Sequence, residues 1–146
     1  MAPQGRQELI AFGRGLVTER LEALGCTVEA PNGNRGALAV MTPSGRSLDV
    51  LVSTQRVGGY AYWEQARLDL SDDRVAAIVL LADDDDPRVY LVPTTDFADP
   101  HPEAPLVNRE HANTRSAPEY GILLSRAQLP ALARYGWDAH ARAVFG

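Results

Sequence analysis

The run RVAAIVLLA, residues 74–82, constrains this chain more than any other stretch. It is apolar at consecutive positions, so it cannot present a polar face to water. An extended run of this kind is a strand covered on both faces. LDVLVST, residues 48–54, repeats the pattern, interrupted only at Asp49. Such a strand belongs in the middle of a sheet. RVYLVPT then follows as the next strand, and Pro93 ends it because proline brings no N–H to a ladder.

The flanking elements are read from periodicity. RQELIAFGRGLVTERLEALG places Leu9, Ile10, Leu16, Val17, Leu21 and Leu24 at a spacing near 3.6, an amphipathic helix. Gly25 stands where a helix C-terminus is expected, and Gly13 and Gly15 weaken the middle. CTVEA is a short strand before the turn-rich PNGNRG. TPSGR joins two apolar runs as a hairpin turn. GGYAYWEQARLDL is a strand or a loop over the core. DDDDP reads as a solvated turn, TDFADPHPEAPLV as an irregular section and NREHANTRSAPEYG as a long surface loop. ILLSRAQLPALARYG gives a strand, then a helix with Ser125 as N-cap. WDAHARAVFG is a last helix. The fold class expected is α/β: a single domain over residues 1–146, with one central mixed sheet flanked by helices.

Composition narrows the function. No apolar run approaches the ~20 residues of a membrane helix. The N-terminus lacks a basic start followed by an apolar block, which leaves no signal peptide to expect. A lone Cys26 can form no internal disulfide. These features lead to the expectation of a cytoplasmic protein without membrane contact. Net charge is −5, and all 14 basic residues are Arg, scattered along the chain. Tight non-specific binding of nucleic acid needs clustered cations, so a protein partner, or a second copy of the chain, is favoured over nucleic acid. No serine-nucleophile elbow or phosphate loop is present, and His101, His111 and His140 have no metal spacing.

The order of helix, hairpin, long strand, YAYW segment, buried strand and Pro-terminated strand over residues 8–93 resembles the PD-(D/E)XK nuclease-like (restriction-endonuclease-like) superfamily. In that pattern a helix Glu, a strand Asp and an acid-spacer-Lys triplet surround a divalent metal. Alternate strand residues share a face, so the acid and the Lys flank one metal-bound water. On this chain the helix acid is Glu19. The Asp position falls on Ala37 or Leu38, and the triplet on Leu51, Val52 and Ser53. The resemblance therefore implies the fold with a degenerate active-site motif that lacks the Lys.

Three readings follow. The first is a non-catalytic nuclease-like domain, an accessory factor in a bacterial system. It binds a protein or nucleic acid through Ser53, Gln55, Tyr62, Trp63, Arg67 and Arg115, and needs no cofactor. The second is a divergent Mg²⁺-dependent nuclease with Glu19, Asp49 and Glu64 as catalytic and metal-binding carboxylates and Arg67 in place of Lys. Arg is a poor equivalent there, since it keeps its proton and presents a fork. The third is a homodimer packed through ALARYGWDAHARAVF. Each residue has a plain alternative. Glu19 is a solvent-facing helix residue, Ser53 a satisfied strand hydroxyl, and Tyr60, Tyr62 and Trp63 are core. Asp49 is a structural partner of an Arg such as Arg46, Arg56 or Arg67.

Overall fold

A computed structural model describes residues 5–30, 37–82, 86–109 and 117–146, the side chain of Arg109 excepted. Arg115, His111 and most of the DDDDP turn lie outside the described residues.

The helical periodicity at the N-terminus yields α1, Arg6–Ala23. It runs unbroken through Gly13 and Gly15. Gly25 takes φ +91° just past its end, the left-handed conformation that favours glycine there. Three strands follow: β1 (Thr27–Glu29), β2 (Leu38–Met41) and β3 (Ser47–Arg56). The expected turn between β2 and β3 is closed by Thr42 and Arg46, where the Thr42 N–H donates to the Arg46 carbonyl at 2.9 Å. β4 (Tyr60–Glu64), β5 (Arg74–Leu81) and β6 (Arg88–Pro93) come next. β7 (Leu106–Arg109) and β8 (Glu119–Leu123) lead to α2 (Leu129–Leu132) and α3 (Trp137–Phe145).

The main sheet has the order β1-β2-β3-β5-β6. Among the described strands of this sheet only β3 and β5 run parallel; the other neighbours are antiparallel. The alternation in β5 shows why its run is apolar throughout. Val75, Ala77 and Val79 join the core formed with α1 and α3, and Ala76, Ile78 and Leu80 join the core on the other face. Each face of the strand thus has its own cover.

That second cover corrects one expectation. The mixed sheet is present, but it is not the single sheet of the fold. Helices α1 and α3 pack on one face, and a three-stranded antiparallel sheet, β4-β8-β7, lies on the other. The ends of the expected long loop are strands: β7 pairs with β8 in the register Leu106↔Ile122 to Arg109↔Glu119. Their polar residues hid the pattern, because one face of a covering sheet meets water. A second correction concerns Ser125. α2 begins at Leu129 with Gln128 at its N-cap, and the Ser125 carbonyl, not its hydroxyl, accepts the Gln128 N–H at 2.9 Å. Pro130 sets this start, since its fixed φ suits the first turn of a helix.

The apolar side of the C-terminal segment is turned inward. Ala141 and Phe145 are buried with α1 and the sheet. Trp137 stacks on Phe145 at 6.0 Å and lies 5.7 Å from the Arg20 guanidinium. No helix among the described residues is long and apolar enough to cross a membrane.

One tether yields a pH prediction. The buried Tyr135 hydroxyl donates to the Asp96 carboxylate at 2.8 Å. Burial, then this bond and the Asp96 charge, push the phenol well above its usual range. A group whose proton is held more tightly when folded stabilises fully below its unfolded pKa, about 10 for tyrosine, and that stability fades as pH rises further. Tyr135→Phe is therefore expected to lose less stability than wild type between about pH 10 and 11, measured by urea unfolding. Identical pH slopes for the two proteins would refute the tether.

Candidate binding cleft

β3 and β4 are joined by only Val57–Gly59, a connection that ordinarily makes a hairpin. Gly58 takes φ +93° in it, and the Gly59 N–H donates to the Arg56 carbonyl at 2.9 Å. Yet the two strands do not pair. β3 gives one side to β5, and β4 pairs with β8. The hairpin is splayed, each arm belonging to a different sheet.

A cleft of about 620 Å³ adjoins both arms. β3 contributes Val52, Ser53, Thr54 and Gln55, and β4 contributes Tyr60, Tyr62, Trp63 and Glu64. Arg67 follows from the next turn. The first turns of α1 supply Arg6, Leu9 and Ile10. Helical spacing continues that face to Gly13, where α1 meets β3 closely. A Cβ on Gly13 would lie inside contact distance of Thr54 Oγ1. That hydroxyl is buried with no hydrogen-bond partner among the described residues.

The polar groups of the cleft are ordered by their neighbours. Gln55 Nε2 donates to Ser53 Oγ at 3.1 Å. The Arg67 guanidinium lies 3.2 Å from Glu64 Oε2, an exposed i,i+3 pair. Tyr60 and Tyr62 occupy one face of β4 and stack at 5.8 Å with an interplanar angle of 16°. The Tyr60 phenol has room because Gly121, opposite Tyr62 on β8, has no side chain; a Cβ there would collide with the phenol. Tyr62 is 60% exposed. Trp63 points the other way and meets Phe97 edge-on at 6.2 Å.

Six of the residues singled out from sequence thus share one cleft: Ser53, Gln55, Tyr62, Trp63, Glu64 and Arg67. Two do not. Glu19 is exposed, nine residues beyond Ile10 and so roughly 13 Å further along α1. Asp49 lies near the start of β3, directly opposite Arg74 on β5, whose guanidinium is 3.4 Å from its carboxylate. The Arg was not one of the three foreseen. Arg46 instead pairs with Asp73 at 3.2 Å. Among the described residues, no group of three or more His, Cys, Asp or Glu side chains is placed to hold a metal ion. Arg6, Leu9 and Ile10 were not foreseen in the cleft. The i, i+3, i+7 spacing of Arg6, Leu9 and Gly13 is the sequence signal that marks their face.

No protein-family model matches the chain, and no curated protein matches it in sequence.

Proposed function

We propose that this chain is a non-catalytic domain of PD-(D/E)XK nuclease-like (restriction-endonuclease-like) architecture whose cleft binds a protein partner. The observation that carries this reading is the cleft beside Ser53. The place where the resemblance calls for a Lys holds a hydroxyl that accepts from Gln55, and the walls mix aromatic and aliphatic side chains with the polar Arg6, Thr54, Glu64 and Arg67. The succession of α1, β1, β2 and β3, followed by a strand parallel to β3, supports the architecture.

The carboxylates of the alternative Mg²⁺ nuclease lie apart: Glu64 pairs with Arg67 in the cleft, Asp49 pairs with Arg74 near the start of β3, and Glu19 is exposed further along α1. An exposed tyrosine over an apolar wall favours protein contact, since aromatic side chains supply large contact area at low entropy cost. The net charge of −5 argues against a phosphate backbone as the ligand.

The test is selection of peptides from a random display library, followed by calorimetry on wild type and Tyr62→Ala. Tyr62 is mostly solvent-facing, so its truncation leaves the fold intact. We expect the selected peptides to bind Tyr62→Ala at least about tenfold more weakly, a loss of about 1.4 kcal/mol. A cleft that binds single-stranded oligonucleotides and no peptide, or that cleaves them with Mg²⁺, would end this reading.

A further inference from the structure

We infer that the uncovered wing of the main sheet, the outward face of β1, β2 and the start of β3, docks a basic segment of a protein partner, with an Arg or Lys seated between Glu29 and Asp49. This surface is separate from the cleft and does not rest on the reading of that site. The smaller sheet does not reach it. The core beneath that sheet draws on β5 and β6, takes in Leu51 at its margin, and uses no residue of β1 or β2. α1 packs on the opposite face, where Leu38, Val40, Leu48 and Val50 are buried. The alternate residues therefore point outward, and Thr27, Glu29, Ala39, Met41 and Ser47 are all exposed.

Strand register sets the geometry. Thr27, Met41 and Ser47 form one cross-strand row, and Glu29, Ala39 and Asp49 form the next. Neighbouring strands lie about 4.8 Å apart, so the backbones at Glu29 and Asp49 are roughly 10 Å apart, with only the Ala39 methyl between their side chains. The result is a notch in a shallow groove of about 360 Å³ along β2. A sheet face that meets only water carries polar side chains at its outward positions. β2 instead offers Ala39 and Met41, and Met41 is 43% exposed. The Ser47 hydroxyl donates to the Met41 sulfur at 3.8 Å, which holds the thioether toward β3.

Charge identifies the occupant. Asp49 and Asp69 share one guanidinium, that of Arg74, at 3.4 and 3.9 Å. Arg46 serves Asp73 at 3.2 Å and the Asp72 carbonyl at 2.6 Å. Among the described residues the rim thus sets Glu29, Asp49, Asp69, Asp72 and Asp73 against Arg46 and Arg74 alone, an excess of negative charge that favours a cationic partner. A partner's Lys or Arg fits both parts of the groove. Its methylene stem lies on Ala39 and Met41 while its head stays hydrated between the carboxylates. Methionine adapts to varied apolar shapes, so an aliphatic residue beside the cation completes the ligand. A second copy of this chain, at net charge −5, is disfavoured on the same ground.

The experiment uses the full chain and a random peptide display library. Enriched peptides are synthesised and measured by calorimetry against wild type, Glu29→Gln, Met41→Ser and, as a control of equal charge, Glu22→Gln on α1. All three side chains are exposed, so these changes leave the fold intact. The expected peptides carry Arg or Lys beside an aliphatic residue. Their affinity should fall about two- to fivefold in Glu29→Gln and about three- to tenfold in Met41→Ser, with Glu22→Gln unchanged. Raising the salt from about 0.05 to 0.5 M should weaken binding to wild type more than binding to Glu29→Gln. A library that yields no basic peptide sensitive to Glu29 and Met41 overturns the inference, whether or not it yields peptides that depend on Tyr62. Basic peptides weakened as much by Glu22→Gln as by Glu29→Gln respond to the net charge of the chain rather than to this face, and overturn it equally. Self-association in sedimentation that Met41→Ser removes gives the face to a second copy and overturns a separate partner.

Discussion

Phe97→Ala is expected to lower the free energy of unfolding by about 3–5 kcal/mol, the usual cost of emptying a buried aromatic site. Phe97 is fully buried in the core between the two sheets. Its ring meets Trp63 of β4 at 6.2 Å and Tyr120 of β8 at 5.5 Å. Its carbonyl accepts from Asn108 Nδ2 on β7 at 2.9 Å. One residue therefore touches all three strands of the smaller sheet. The loss of transfer energy and the cavity left behind add, because strands held by backbone ladders collapse only partly. Urea unfolding gives the stability change, and near-ultraviolet dichroism reports whether Trp63 loses its fixed environment. A cost below about 1 kcal/mol would mean that the smaller sheet is anchored elsewhere. The cleft should suffer with the fold, because Trp63 is both a wall of the cleft and a neighbour of Phe97.

Gly13→Ala has an unusual expected sign. Within a helix this change ordinarily stabilises by up to about 1 kcal/mol. Here the new methyl would meet Thr54 Oγ1 and crowd Thr54 Cβ, so a net loss of about 1–3 kcal/mol is expected from overpacking. Rotating the threonine is only a partial remedy: even with its hydrogen turned toward the new methyl, Thr54 Cβ would lie 3.1 Å away. Thr54→Ala removes a buried hydroxyl that has no partner among the described residues, and should be nearly neutral. The double variant should recover most of the loss, giving a coupling of at least about 1 kcal/mol in a thermodynamic cycle. Additive effects would show that α1 does not press on β3 at this point.

The sequence speaks clearly where one residue's surroundings are dictated on both faces. RVAAIVLLA admits few structures but a covered strand, and β5 is that strand. The amphipathic pattern likewise anticipates α1 within two residues. Strands β7 and β8 are silent for a physical reason. They are short, half-exposed and built from LVNR and EYGIL, in which polar and apolar residues follow no strict alternation. The small sheet exists because the exposed face of β5 and β6 must be covered, a tertiary demand that no local window contains. The cleft was legible in part. Ser53 and Gln55 share a strand face, and Tyr62 belongs with the aromatic segment. Glu19 lies away from the cleft because the helix acid that fits the motif is on another part of α1, whereas the face that meets β3 is marked by Gly13. The sequence leaves Asp49 between two roles, because its partner Arg74 is set by the parallel register of β3 and β5, which no local pattern encodes.

The splayed arms also bear on how the chain matures. β3 and β4 are neighbours in sequence, but the partner of β4 is made about sixty residues later. During synthesis the aromatic arm therefore emerges long before the strand that will hold it. The quickest contact open to it is the local hairpin with β3, since short loops close fastest. That early pairing would place β4 beside β3 and keep it out of the smaller sheet. The splayed arrangement thus depends on the arrival of Glu119–Leu123, which draws β4 into the other sheet.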